Sequence, residues 1–179
     1  MKPMLKNLFK PRPGARLGLD LYALAVDQAR RPGFYTALGV ADRIDARFEL
    51  YTLHVLLLVL RLRDEDTDPG RESAQMLFDT YVSALDHALR EEGVGDISVG
   101  KKMRKLGEAL YGRMTAYEPP LRAADRAALT EALARNVYGG SDSPNAAALA
   151  GYALASRAAL AAQPFRMVLT APAWSDIDA

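Results

Sequence analysis

Residues 43–63, RIDARFELYTLHVLLLVLRLR, decide the fold of this chain. The run is apolar almost all round and sits inside a longer stretch of helical periodicity, so it predicts one long helix rather than a strand. A helix without a polar face is normally the buried centre of a bundle. Asp42, directly before the run, is a residue type that favours the N-cap position. The segment therefore predicts an all-α protein built around a nearly all-apolar central helix.

Helical periodicity on both sides of this segment extends the prediction to the rest of the chain. Further helices are expected at residues 15–31, 34–38, 72–92, 98–117, 121–138 and 144–163. Pro119-Pro120 is expected to end one of them, and Ser143-Pro144 to begin the last. We therefore expect a single-domain bundle of about six to seven helices. This helical domain covers residues 15–164, and a tail, residues 165–179, is expected to pack on the body or to be partly disordered.

A basic arm, residues 1–14, precedes the helical domain. The first sixteen residues contain five cations and no acid, and Met4, Leu5, Leu8 and Phe9 can form one short apolar face. Two interpretations stay open for the arm. It is either a frayed terminus or a segment that contacts an anionic membrane surface or a partner, because basic residues that flank apolar ones suit such an interface.

Composition excludes several classes of site. The 179 residues include no cysteine and two histidines, which rules out disulfides, thiolate zinc sites and a cysteine nucleophile. His54 is expected to be a hydrogen-bonded core or helix-junction residue, and His87 a surface residue. The longest unbroken apolar run, residues 55–60, is far shorter than the roughly 20 residues that span a bilayer. We therefore expect a soluble or peripheral protein.

An acidic cluster follows the apolar helix: Asp64, Glu65, Asp66 and Asp68. It matches the start of a calcium loop but not its end, since Pro69 stands where glycine is required and Gln75 where the closing carboxylate belongs. A solvated loop is the preferred interpretation. The alternative is a magnesium-dependent helical enzyme of isoprenoid type that uses these carboxylates. Because no nucleophile–base–orienter set accompanies them, we expect no catalytic, metal or cofactor-binding residues and no enzymatic activity.

The second informative segment is residues 90–113, REEGVGDISVGKKMRKLGEALYGR. Its glycines lack the preceding strand that a nucleotide-binding loop needs, so the segment predicts a helix–loop–helix joint with a new helix starting at Ser98. Four cations then fall in the first two turns, where the helix dipole disfavours each by roughly 0.3–1 kcal/mol: Lys101, Lys102, Arg104 and Lys105. They either cover neighbouring apolar surface, balanced by nearby acids, or form a docking patch for lipid headgroups, RNA phosphates or an acidic protein segment.

Three blocks of sequence resemble the ubiquinol–cytochrome c chaperone family. They are Phe34-Tyr35 with Gly39–Asp42 and Arg47-Phe48-Glu49; Leu53-His54-Val55 with Arg61-Leu62-Arg63; and Leu85-Asp86 with Arg90-Glu91, Gly93–Asp96, Val99, Lys101, Met103 and Tyr111-Gly112-Arg113. Together they span residues 30–118. The chain departs from the expected family pattern at Gly100 and Ala41, where proline is common, and at Ala46, where glycine is. These changes affect local stiffness and remove no charged or aromatic position.

The resemblance implies a non-enzymatic assembly chaperone of the α-proteobacterial type. Such a protein would bind newly made cytochrome b and support assembly of respiratory complex III, in the bacterial cytoplasm at the inner face of the inner membrane. Its implied client is cytochrome b, with an anionic membrane as a further contact. Mitochondrial relatives also work with a helper protein and act near the ribosomal tunnel exit, and whether a bacterial relative needs either stays open. The candidate partner-binding residues are Lys101, Lys102, Met103, Arg104, Lys105, Tyr111, Arg113 and Met114. A general membrane- or RNA-binding helical adaptor is a further alternative.

Overall fold

The computed structural model describes residues 13–91, 96–140 and 143–177 of the chain. Eight helices and no strand lie within these ranges. They are α1 (Pro13–Ala29), α2 (Gly33–Thr36), α3 (Ile44–Arg63), α4 (Asp68–Glu91), α5 (Asp96–Ala123), α6 (Arg126–Val137), α7 (Pro144–Ala162) and α8 (Phe165–Val168). Six are long, and α2 and α8 have four residues each. The predicted all-α bundle is confirmed, while the predictions for residues 1–12 and for the glycines at 93 and 95 lie outside the described residues.

Helix α3 is the centre of the bundle, as predicted. It packs against α1, α4, α5, α6 and α7. Its leucines are buried on every side, and Leu53, Leu57 and Leu60 have no exposed surface. Each buried leucine contributes roughly 1.5–3 kcal/mol relative to an exposed one. The apolar run at 43–63 therefore organises the five other long helices around itself.

The start of α3 differs from the prediction. Arg43, not Asp42, occupies the N-cap position, and it makes no side-chain cap hydrogen bond. The Asp42 carboxylate instead accepts hydrogen bonds from Arg47, with Nε at 2.7 Å and Nη2 at 2.6 Å. The prediction that Asp42 caps the helix was wrong because this ion pair with a nearby cation takes up its carboxylate.

Helix α5 continues through Pro119-Pro120, so the predicted break there was wrong. A proline inside a helix removes a hydrogen bond and costs about 3 kcal/mol. Tyr117, Pro120 and Leu121 are all buried, and this packing holds the last turns of α5 against the core. The chain turns at Ala124, which has a φ of 53°. Asp125 then caps α6 by accepting a hydrogen bond from the amide of Ala128 at 3.0 Å.

His54 is a hydrogen-bonded core residue, as predicted, and has no exposed surface. Its Nδ1 lies 2.7 Å from the carbonyl oxygen of Leu50, and its Nε2 lies 2.8 Å from the hydroxyl of Tyr152. Since a carbonyl only accepts, Nδ1 carries the proton and Tyr152 donates to Nε2. The Tyr152 hydroxyl in turn accepts from Nε2 of Gln28 at 3.0 Å. This chain of hydrogen bonds joins α1, α3 and α7.

The segment after α7 folds back over the core. Val168 of α8 is fully buried, and the Trp174 ring lies edge-on to His54 with 5.3 Å between ring centroids. The amide of Ser175 donates to Oγ of Ser156 on α7 at 3.1 Å. Residues 165–177 therefore cover one side of the His54 cluster.

Candidate functional site

All four carboxylates of the acidic cluster between α3 and α4 form ion pairs with arginines. Asp64 accepts hydrogen bonds from Arg122 of α5, at 2.9 Å, and from Arg157 of α7. Partial burial acts to raise the pKa of Asp64, but these two guanidinium groups outweigh it and the pKa is lowered. The other three carboxylates pair as Glu65 with Arg61, Asp66 with Arg71 and Asp68 with Arg71. Asp66 is exposed in the loop, as predicted, and Asp68 is exposed as the first residue of α4, whereas Asp64 connects α3, α5 and α7 through its ion pairs.

A groove with a volume of 400 Å³ lies between the N-terminal part of α3, the C-terminal part of α4 and α5. We call it the α3–α5 groove. Its apolar lining consists of Ile44, Phe48, Leu85, Ala88, Leu89, Leu106 and Ala109. Ile44 stands at the mouth of the groove and is 72% exposed. An exposed apolar concavity of this kind is typical of a surface that accepts an apolar partner.

The polar part of this lining consists of Asp45 and an ion pair between Glu49 and Arg113. Arg113 of α5 donates to Glu49 of α3 from Nε, at 3.0 and 3.1 Å to the two carboxylate oxygens, and from Nη2 at 2.6 Å. The Glu49 side chain is only 6% exposed. Burial raises the pKa of Glu49, and the hydrogen bonds from Arg113 oppose that shift without cancelling it. The bidentate pair fixes α5 to α3 beneath the groove.

The ion pair also brings together two separate blocks of the family resemblance. Glu49 ends the first block, Arg47-Phe48-Glu49, and Arg113 ends the third, Tyr111-Gly112-Arg113; the two residues are 64 positions apart. Phe48 and Leu85, which belong to the same blocks, line the groove beside them. The resemblance therefore converges on one place in the structure.

The four cations continue the groove along α5. Lys102 and Lys105 precede Leu106 and Ala109 by four residues each, so they share the groove face one turn nearer the N-terminus. Lys101 and Arg104 lie beside them, and all four are exposed. None of the four has an ion-pair partner in the described part of the chain.

The helix dipole disfavours the four cations of α5 less than the sequence predicted. Helix α5 begins at Asp96, two residues before the predicted Ser98. The cations therefore lie in its second and third turns rather than its first two. The field of a helix end falls off within the first turn, so the expected penalty is smaller than the sequence indicated. Their clustering and exposure next to an apolar groove remain.

The other predicted partner-binding residues fall into three environments. Arg113 lines the groove as half of the buried ion pair. Tyr111 is 73% exposed, and seven-residue spacing places it on the same outer stripe as Arg104. Met103 is half-buried, whereas Met114 packs against the core beside Val59 and Phe78. The structure thus brings Arg113 and the cations to the groove, and leaves Tyr111 and the two methionines outside its lining.

Sequence reasoning missed most of the groove lining. Phe48 was identified only through the family resemblance, and neither Ile44 nor Leu89 was predicted to bind a partner. The available signal was Glu49, an acid inside an otherwise apolar helix. A buried carboxylate needs a partner, and that partner would have marked where another helix meets α3.

No group of three or more histidine, aspartate or glutamate side chains in residues 13–91, 96–140 and 143–177 is arranged to hold a metal ion. In the same ranges, no helix is long and apolar enough to cross a membrane.

Comparison with known proteins identifies a matching family model and a similar crystal structure. Residues 36–174 match the family model described as ubiquinol-cytochrome C chaperone. The crystal structure of the Cbp3 homolog from Brucella abortus is similar to this chain, with 33% sequence identity, a TM-score of 0.82 and coverage of 92% of each chain. No curated protein matches the chain. The matched residues include the entire lining of the α3–α5 groove.

Proposed function

Because this chain belongs to the ubiquinol-cytochrome C chaperone family, we propose that it is a non-enzymatic assembly chaperone that binds newly made cytochrome b and supports assembly of respiratory complex III. The observation that carries the proposal is the α3–α5 groove with exposed cations at one end. The chaperone domain comprises residues 15–164, with the arm at 1–14 and the tail at 165–179 as its flanking segments.

The apolar lining of the α3–α5 groove favours an apolar helix as the client. Amphipathic or apolar helices bind proteins by laying their apolar face into such a groove, and cytochrome b is a very apolar membrane protein. An isolated client helix would cover Ile44, Phe48 and Leu106 and lose its own contact with water. Apolar burial of this kind contributes about 25 cal/mol per Å², without any chemistry at the site.

The cations support a location at an anionic surface. Lys101, Lys102, Arg104 and Lys105 project from α5 at the end of the groove, where phosphates of lipid headgroups or of ribosomal RNA near the tunnel exit would neutralise them. We place the protein at the inner face of the bacterial inner membrane, as a peripheral protein. A helper protein is a further partner in this scheme.

Loss of the protein is expected to lower the amount of assembled complex III. The wild-type gene should restore it, whereas Ile44→Glu should not, because this variant removes the exposed apolar side chain at the groove mouth and adds a second carboxylate beside Asp45. Ile44 is already exposed, so this variant is expected to fold. Native gels of membranes measure the amount of assembled complex III, and co-purification measures how much cytochrome b each variant binds.

Met167→Glu is the matched control, since Met167 is an exposed apolar residue of α8, away from the groove. It is expected to restore complex III fully. Normal complex III in the deletion strain would overturn the proposed function. Full restoration by Ile44→Glu would overturn only the role of the groove.

Reversal of the groove-face cations, Lys102→Glu with Lys105→Glu, is expected to weaken binding to anionic vesicles at least tenfold, because each basic residue near such a surface contributes about 1 kcal/mol. Vesicle flotation at two salt concentrations measures the effect. The control, Arg31→Glu with Arg166→Glu, changes the net charge equally at exposed positions elsewhere. If both double variants lose vesicle binding equally, binding depends on the net charge of the protein and not on the position of Lys102 and Lys105.

A further inference from the structure

A second groove, with a volume of 670 Å³, lies between α1 and α4 and meets the α3–α5 groove at Ala88. We call it the α1–α4 groove. Its apolar lining comprises Leu19, Tyr22, Met76, Ala84 and Ala88. Leu19 is 53% exposed. An apolar side chain in this position gains stability when something covers it.

The two helices that form this groove are in close contact at Gly18. A Cβ added at Gly18 would lie 2.7 Å from the backbone carbonyl oxygen of Met76 and 2.4 Å from Oγ1 of Thr80. The two helices therefore touch almost backbone to backbone at this point. From Met76 the lining follows α4 to Glu91, a length of about 22 Å at 1.5 Å per residue.

The polar lining of the α1–α4 groove comprises Asp79, Thr80, Ser83, His87 and Glu91, two of which are carboxylates. Asp79 and Glu91 belong to its lining, and neither carboxylate has a cationic partner among the residues that the structure describes. Asp79 accepts a hydrogen bond only from the neutral amide of Gln75, at 2.7 Å. A ligand for this groove should therefore be apolar on one side and basic on the other.

The first twelve residues of the same chain have this chemistry. Their apolar residues are Met4, Leu5, Leu8 and Phe9, and their charged residues are Lys2, Lys6, Lys10 and Arg12. They lead directly into α1, where Leu19 lies about 9 Å along the helix axis from Pro13. Twelve residues reach up to about 40 Å when extended, which exceeds the length of the groove.

We propose that residues 1–12 bind in the α1–α4 groove of their own chain. Leu5, Leu8 and Phe9 cover Leu19 and Ala84, and the lysines meet the carboxylates of Asp79 and Glu91. The inference goes beyond the proposed function, because it concerns the face of α4 that meets α1, which shares only Ala88 with the α3–α5 groove, and it requires no client.

The absence of cysteine makes a direct test simple. In the full-length protein, a pair of cysteines at Leu8→Cys and Ser83→Cys, the latter in the groove lining, should form an intrachain disulfide under mild oxidation. The control pair is Leu8→Cys with Ala127→Cys, which lies exposed on α6. Helix α6 packs on α3, α5 and α7. We expect the first pair to cross-link at least tenfold faster, measured by non-reducing gels and peptide mass spectrometry.

Charge reversal tests the electrostatic part of the proposal. When Asp79→Lys and Glu91→Lys are added to the Leu8→Cys, Ser83→Cys protein, the disulfide is expected to form several-fold more slowly. If this difference in rate disappears at high salt, the two carboxylates attract the arm electrostatically. Equal rates for the two cysteine pairs would overturn the proposal. A disulfide that forms mainly between chains would overturn it as well, because it assigns the groove to a second copy. Neither result depends on complex III assembly.

Discussion

Replacement of Arg113 by methionine is expected to lower the free energy of unfolding by roughly 3–5 kcal/mol near neutral pH, the usual cost of removing one partner from a buried ion pair. The methionine keeps much of the side-chain volume but leaves the carboxylate of Glu49 unpaired beneath the α3–α5 groove. Urea denaturation followed by circular dichroism measures the loss. Arg135→Met, which breaks an exposed pair with Glu131, should cost less than about 1 kcal/mol.

The loss should be smaller in acid. Burial already raises the pKa of Glu49 when Arg113 is present, and without the guanidinium the folded protein holds a proton there more tightly. A group whose pKa is raised on folding favours the folded state at low pH and loses that contribution as the pH rises through the folded pKa. At about pH 5 the variant should therefore recover part of its stability. A deficit that is equal at both pH values would contradict this account.

A double replacement separates the ion pair from its surroundings. Glu49→Leu with Arg113→Met removes both charges and should be more stable than Arg113→Met alone, because no unpaired charge remains in the core. If the double variant is the least stable of the three, packing rather than charge dominates at this position.

Acidification is expected to destabilise the protein through His54. Burial lowers the pKa of His54 from 6.5 to about 4, because the imidazole has no water to stabilise its charged form and its Nε2 accepts from Tyr152. Between these two values the unfolded chain binds a proton that the folded chain does not, so stability falls as the pH is lowered through this window. The loss amounts to roughly 3 kcal/mol over the full window.

The two histidines of the chain provide a matched pair of variants. His54→Gln keeps a polar side chain beside Tyr152 but cannot titrate, so its stability should change less between about pH 6.5 and pH 4 than that of the wild type. His87→Gln alters an exposed residue and should leave the wild-type dependence intact. Denaturant titrations at several pH values compare the three proteins. An unchanged slope in His54→Gln would assign the acid sensitivity to other groups.

The sequence predicted the fold well where local pattern and tertiary packing agree. The apolar run at 43–63 allowed only a central helix, and α3 occupies that place. The predicted helix end at Pro119-Pro120 was wrong because burial of Tyr117 and Leu121 outweighs the local cost of proline. No local sequence pattern reveals that burial. The prediction that Asp42 caps α3 was wrong for a related reason, since its carboxylate pairs with Arg47 instead.

The candidate site was harder to predict because it is made of surfaces from three helices. The cations of α5 and the family blocks indicated the right helix. The groove, however, depends on how far α4 and α5 stand apart at Leu89 and Leu106, and that spacing follows from packing around α3. The pairing of Glu49 with Arg113 spans 64 positions, a distance over which helical periodicity carries no information.

The position of Trp174 has a consequence for the biosynthesis of the protein itself. Its ring covers His54, and His54 is linked through Tyr152 to Gln28 near the start of the chain. Domains fold during translation only as far as their contacting segments have left the ribosome. A chain synthesised only as far as residue 173 would therefore contain all six long helices, which end at Ala162, but would lack the ring that covers His54.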